Sequence, residues 1–357
     1  MDKQFIEIKK SDVLMFLRLC DGLSKQAYSD HAKCALVRSI SPNQVELFYY
    51  NNPNAVRVVC ENGTSTMLQG FILQLKVLKE LCSVADGDYM SFTFKNNHPY
   101  IVSSGRELYI ETENLGTECY DATFIECNET LDLIKYEPLK KASPLTLKST
   151  TSYQNLIVKN GCAFFNTSYF ILKSDSPFSG SEDLLVPRPL VVTLNTLSDC
   201  GIEVMKYGLD AKTMTLTNGN ITIVSQLCIG DMVNNYITDT VLYLVGFEGG
   251  IDVCDGLPLL LSSIGTLSYM EDIVTCSMNP TMLNVTTTNI SHTTTDTYAF
   301  PIEGNESSCS DIKIPSSMLL SFIRMGEVSK DGYKMTMNDK GVGLDLKTCK
   351  ALLRRLG

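Results

Sequence analysis

The 357-residue chain lacks the marks of several protein classes. No run approaches the roughly eighteen apolar residues of a membrane-spanning helix. No CxxC pair occurs among the 13 cysteines, and histidine appears only at His31, His98 and His292, so the short-spaced ligand pairs of a zinc site are missing. There is no P-loop, no HExxH, no GxSxG and no His–Cys pairing at short spacing. Gly246-Phe247-Glu248-Gly249-Gly250 is glycine-rich but follows no Rossmann strand–helix pattern, and it reads as an interdomain loop. These absences argue against an enzyme, so no catalytic residue, metal or cofactor is expected. The opening MDKQFIEIKKSDV carries charges throughout and no apolar signal-peptide core. The odd cysteine count then favours reduced, mostly buried thiols in a cytoplasmic protein over a disulfide framework.

What is present describes an ordinary globular chain, 44% hydrophobic and 20% charged, long enough for two or three domains. The formal net charge of −10 argues against a surface coated with basic residues, though not against a basic strip inside an acidic shell.

A unit of helix, turn and strand meander recurs. From Phe71 onward the apolar residues Phe71, Ile72, Leu75, Leu78 and Leu81 or Cys82 fall at helical spacing, with Lys76, Lys79 and Glu80 on the opposite face. The ADGD turn at Asp86-Gly87 leads into period-two alternation and an Asn96-Asn97 hairpin. Asp86 and Asp88 are read as turn residues, not as a metal site. The same order follows Leu184, with a strand, a helix near Pro187, a turn at Asp199–Gly201 and a hairpin at Thr217-Asn218-Gly219-Asn220. It follows Ile312 again, with a helix near Pro315 and a turn at Asp331-Gly332. A proline in the first helical turn loses no needed N–H. A second helix series lies at Ser11–Leu23, with Ser11 or Asp12 as N-cap, at Glu137–Ser143 and at Asp255–Ser268. The reading is an α+β chain of three repeated domains, 1–125, 126–244 and 245–357. Each has two halves of a helix plus an antiparallel β-meander, with one sheet face covered by helices and the other solvated. The six sheets leave edges free to pair across domain and subunit joins.

This organisation resembles the three-domain DNA sliding clamp of bacterial replicative polymerases, over nearly the whole chain. IVSSGRELYIETENLGTECYDA is similar to the family's SGR strand and the loop after it. LLVPRPLVVTLNTLSD is similar to its V-P-R strand-to-helix step, and ITIVSQLCIGDMVNNYIT to the strand and loop that close the second domain. IKIPSSMLLSFIRMG is similar to the last helix. The resemblance implies a head-to-tail homodimer, closed into a ring with helices inside and sheets outside, that encircles duplex DNA without reading its sequence and tethers a polymerase. The DNA-facing candidates are Arg18, Lys25, Lys76, Lys79, Lys140, Lys141, Arg188 and Arg324 on the helices, with Lys148 and Tyr153 in the loop KSTTSY. The resemblance also implies an apolar pocket that takes short linear peptides from the polymerase, the clamp loader and repair proteins. Its matching positions are Leu156, Thr167, Tyr169, Leu172, Thr240, Val241, Gly341, Gly343, Leu352, Leu353 and Leu356.

Two departures mark the chain as a divergent member, such as one carried by a phage or mobile element. It ends in ALLRRLG in place of a Met-Pro-Met-Arg-Leu-like tail, and Thr167-Ser168-Tyr169 replaces a Thr-Asp-Gly turn. Two other readings stay open. A clamp-like transcription coactivator would share the fold. A secreted or virion β-rich adhesion protein would use the threonine-rich VTTTNISHTTTDT segment and the seven N-x-S/T triplets, at Asn62, Asn128, Asn166, Asn220, Asn284, Asn289 and Asn305.

Overall fold

The computed structural model of the chain describes residues 5–24, 33–61, 63–65, 70–96, 98–113, 122–146, 155–167, 170–227, 251–252, 273–288, 295–301, 309–315, 318–319, 334–338, 341–346 and 349–354. Among them are four helices, α1 (Lys10–Ser24), α2 (Leu75–Val84), α3 (Glu137–Thr146) and α4 (Arg188–Asp199). The strands pair antiparallel into four sheets. The first runs β5 (Thr64–Ser65), β1 (Phe5–Lys9), β7 (Tyr89–Lys95), β8 (His98–Ser103), β9 (Arg106–Tyr109). The second runs β10 (Glu129–Asp132), β15 (Val204–Leu209), β16 (Thr213–Thr217), β17 (Ile221–Gln226), β4 (Asn54–Cys60), β3 (Gln44–Asn51), β2 (Cys34–Ser41), β6 (Phe71–Gln74). The third runs β14 (Leu184–Val186), β11 (Leu156–Lys159), β12 (Cys162–Asn166), β13 (Phe170–Asp175), β25 (Cys349–Arg354), β24 (Gly341–Leu346), β23 (Lys334–Asn338), β18 (Ile251–Asp252). The fourth runs β21 (Thr295–Pro301), β20 (Met282–Thr288), β19 (Ile273–Met278), β22 (Cys309–Pro315).

Two compact units hold these sheets. One comprises Met1–Ile134, Phe178–Gly180 and Pro187–Ile229, and the other Lys135–Pro177, Ser181–Val186 and Gly230–Gly357. The first two sheets with α1, α2 and α4 belong to the former, and the last two with α3 to the latter. Each eight-stranded sheet contains a seam where strands far apart in sequence meet edge to edge. β17 pairs with β4 from Ile221↔Val58 to Val224↔Ala55, and β13 pairs with β25 from Phe170↔Leu353 to Ser174↔Cys349. Edges that would otherwise attract foreign strands are consumed inside the chain, which is why four sheets appear among the described residues where six were expected.

Period-two alternation assigns the faces of the second sheet. Val45, Leu47 and Tyr49 of β3, Val56 and Val58 of β4, and Ile221 and Ile223 of β17 share one face and are buried. Helix α1 contributes Val13, Phe16, Leu19, Cys20 and Leu23 to the core, and α4 contributes Leu190, Val191, Leu194 and Leu197. Helices α1 and α4 cross at Gly22, where a Cβ would lie 2.8 Å from the Pro189 carbonyl oxygen, so only glycine permits the approach.

The expected turns are present. Gly87, Gly201 and Gly219 adopt φ of 62°, 76° and 97°, where a side chain is strained. The Asp86 carboxylate accepts the Ser104 N–H, and the Asp88 carbonyl accepts the Lys10 N–H, so both aspartates of ADGD tie structure together. The turn at Asp331-Gly332 and the helix at Asp255–Ser268 lie outside the described residues.

Three expectations need correction. Phe71–Gln74 is strand β6, paired with β2, and the helix starts only at Leu75. Four apolar-rich residues fit either period, and the open edge of β2 selects the strand. Ser11 and Asp12 lie in the first turn of α1, which starts at Lys10, and bond to each other at 3.3 Å instead of capping it. Finally, the face of the second sheet away from α1 is not fully solvated. Cys34, Leu36, Phe48, Ala55, Ile72 and Val224 form a buried cluster there, with Tyr50 and Ala122 packed against it.

Candidate nucleic-acid face and peptide groove

Each helix of the first unit turns an apolar stripe to the sheets and leaves a polar face outward, the arrangement the helical spacing predicts. On α2, Leu78 and Cys82 are buried while Lys76, Lys79 and Glu80 are exposed. Lys76 reaches Glu80 at 4.0 Å, an exposed i,i+4 pair worth little and easily exchanged for another anion. Arg18 is exposed on α1, and Arg188 is exposed at the start of α4. Burial pushes the Cys200 thiol up and Arg18 opposes that shift, which places the guanidinium near the C-terminal end of α4. The four helices carry seven basic residues (Lys10, Arg18, Lys76, Lys79, Lys140, Lys141, Arg188) and five acidic ones (Asp12, Asp21, Glu80, Glu137, Asp199). Their balance is thus positive in a chain whose net charge is −10.

The α3 lysines differ from those of α2. Lys140 and Lys141 are half-buried, and both reach Glu137, at 3.6 Å each. Their charge is partly committed within the helix. Lys25, Lys148, Tyr153 and Arg324 lie outside the described residues.

The third sheet carries the expected groove residues on both of its faces. Leu172 of β13 stands opposite Phe165 of β12 and Ala351 of β25, and Leu353 stands opposite Phe170 and Val342. Leu156 of β11, paired with Val186 of β14, shares that face with Leu172 and Leu353. Leu352 is one residue out of phase. It faces Ile171 and Gly343 on the other side of the sheet, and Gly341 shares its parity. All six are buried. Thr167 is buried at the β12–β13 turn, where its hydroxyl accepts the Phe170 N–H at 3.0 Å. The geometry therefore gathers Leu156, Leu172 and Leu353 and separates them from Leu352, Gly341 and Gly343. Ala351 and Phe165 join the first group. The signal for Ala351 was the period-two phase of CKALLR, and for Phe165 that of CAFFN, readable once those segments are taken as strands. Tyr169, Thr240, Val241 and Leu356 lie outside the described residues.

Among the described residues, no cluster of three His, Cys, Asp or Glu side chains could hold a metal ion, and no helix is long and apolar enough to cross a membrane. None of the nine described cysteines is in a disulfide, and burial pushes Cys82 up to about 11 and Cys276 and Cys349 up to about 12.

No protein-family model matches the chain, and no curated protein matches it. Solved structures do. The DNA polymerase sliding clamp of Bacillus subtilis superposes with a TM-score of 0.76 at 13% identity, covering 100% of both chains. The DNA polymerase III β subunit of Thermotoga maritima gives 0.78 at 7% identity over 99% of each chain. The Helicobacter pylori β clamp, solved with a DNA ligase peptide bound, gives 0.77 at 11% identity over 99% of this chain and 100% of that one. At such low identity the likeness is one of fold. The chain has the α+β architecture of the bacterial sliding clamps along its full length.

Proposed function

We propose that the chain is a DNA sliding clamp, a non-catalytic processivity factor that encircles duplex DNA and tethers a replicative polymerase. The observation that carries this reading is the full-length fold likeness to sliding clamps. The helices support it through their net positive charge in an acidic chain. Arg18, Lys76, Lys79 and Arg188 are its leading phosphate-facing residues, with Lys140 and Lys141 weaker because of Glu137. A lining of this strength suits retention by topology, since a closed ring need not grip the phosphates tightly. We assign three clamp domains, divided near residues 125 and 244, to each chain, and two chains head to tail to each ring. The unpaired outer edges of the first and fourth sheets among the described strands, β9 and β21 or β22, are suited to that closure.

Partner peptides, of which the DNA ligase peptide on the Helicobacter pylori clamp is an example, would be held at the third sheet, which carries Leu156, Leu172, Gly341, Gly343, Leu352 and Leu353 with Thr167 at its β12–β13 turn. The test is topological. The protein is loaded on nicked circular DNA by its cognate loader, or through an opened ring, and the circle is then cut once. A clamp slides off the linear ends within the time of the cut. Retention on the linear product, or equal binding to short linear duplex at the start, overturns the reading.

A further inference from the structure

The cluster on the outer face of the second sheet lies beside the β4–β17 seam, and the segment 122–128 lies across both sides of that seam. On the β4 side, Ala122 packs against the cluster. The Phe124 ring sits 6.3 Å from that of Phe48, and the Arg57 guanidinium lies 6.0 Å from the Phe124 centroid. On the β17 side, the Cys127 sulfur lies 3.5 Å from the Thr215 carbonyl oxygen of β16. Glu126 crosses β15 at Gly208, where an added Cβ would lie inside van der Waals contact of the Glu126 carbonyl oxygen and 3.0 Å from its carbon. The chain then turns down to become β10, the edge strand beside β15. Gly208 is therefore glycine for proximity alone. Its backbone is not among the left-handed positions of the chain.

We propose that residues 122–128 form a clasp that holds the β4–β17 seam closed from outside, with Phe124 as its anchor and Gly208 as its seat. The seam itself is short. It has four registered pairs, extended by Val59 N–H to the Asn220 carbonyl at 2.8 Å and Gln226 N–H to the Asn54 side chain at 3.0 Å. It joins strands more than 160 residues apart in sequence, such as Val58 and Ile221, so no local turn maintains its register. The clasp supplies what a turn would. Phe124 itself is 39% exposed, so the clasp can lift without unfolding the helical core beneath the sheet. This inference stands whether or not the protein is a clamp.

Hydrogen exchange by mass spectrometry on the full chain tests it, using wild type, Gly208→Ala and Phe124→Ala. In both variants the seam peptides covering 54–60 and 221–226 should exchange roughly fivefold to tenfold faster, the scale of one lost aromatic contact. Peptides from α1 and α4 should stay within about twofold of wild type. Faster exchange confined to 122–128 would overturn the clasp, since the segment would then be a passive connector. A uniform rise across α1, α4 and the seam would overturn it equally, since the segment would then be part of one global core. If Gly208→Ala does not fold, Phe124→Ala alone decides, because its truncation introduces no clash.

Discussion

The two eight-stranded sheets solve one problem in two ways. Each carries a charged cross-strand group on the face away from its helices, close to its seam. In the second sheet, Glu46 on β3 is fully buried and bonds to Arg38 on β2 and Arg57 on β4. In the third sheet, Lys350 of the seam strand β25 meets Asp345 of β24 at 3.3 Å, and both are about half exposed. The sequence separations are similar and the pairing chemistry is the same. Only cover differs, and cover sets the energetic weight, because desolvated charges depend on their partners while solvated ones have water as a substitute. The register of β2, β3 and β4 beside that seam is fixed by the covered group, since Glu46 has no other place to put its charge.

The largest expected effect comes from removing both arginines. Arg38→Ala with Arg57→Ala leaves Glu46 buried without a counter-ion, which should cost about 3–5 kcal/mol in urea denaturation. Glu46→Leu added to that pair should recover much of the loss, because a buried apolar side chain needs no partner. If the double variant is as stable as wild type, Glu46 has reached water and the contrast between the sheets is lost.

The contrast also shows how far the sequence could be read. The turns at Asp86-Gly87 and Asp199–Gly201 were legible because positive φ restricts the residue choice to glycine and a few others. The helical faces with Lys76, Lys79 and Arg188 were legible from spacing alone. Glu46 was not. Val45-Glu46-Leu47 looks like an ordinary alternating strand with a solvated acid, and its burial depends on Arg38 and Arg57 arriving on neighbouring strands and on the cluster beside them. Phe124 lies in an irregular connector with no period to read, and the need for Gly208 arises only when Glu126 is laid across it. At the groove, Leu352 and Leu353 seemed equivalent as neighbours in sequence. In a strand, adjacent residues point to opposite faces, so Leu352 and Leu353 project to opposite sides of the third sheet.

A middle-sized effect compares the seams through their thiols. Cys60 on β4 and Cys349 on β25 both occupy the helix-facing side. Burial pushes both thiols up, Cys349 to about 12. An unfolded thiol titrates near 8.5. Below that pH both states hold the proton and stability is unaffected. Above it the unfolded chain ionises first, so stability falls as pH rises from about 8.5 towards the folded value, by about 1.4 kcal/mol per pH unit per thiol. Urea midpoints at pH 7.5 and 9.5 measure the drop. In Cys349→Ala and in Cys60→Ala the drop should shrink by about 1 kcal/mol each. An unchanged drop in either variant would mean that its seam already admits water.

The smallest effect is expected at the exposed pair. Lys350→Ala removes a contact whose two partners stay hydrated, so the cost should be under about 0.5 kcal/mol and should vanish in 0.5 M salt, where screening shortens the reach of surface charges. The same measurement on Arg57→Ala supplies the other arm. Its loss should persist in salt, because Glu46 is out of reach of the screening ions. If Lys350→Ala instead costs as much as Arg57→Ala and resists salt, the third sheet's outer face is covered in solution. The two sheets would then share one design: a seam held from both sides.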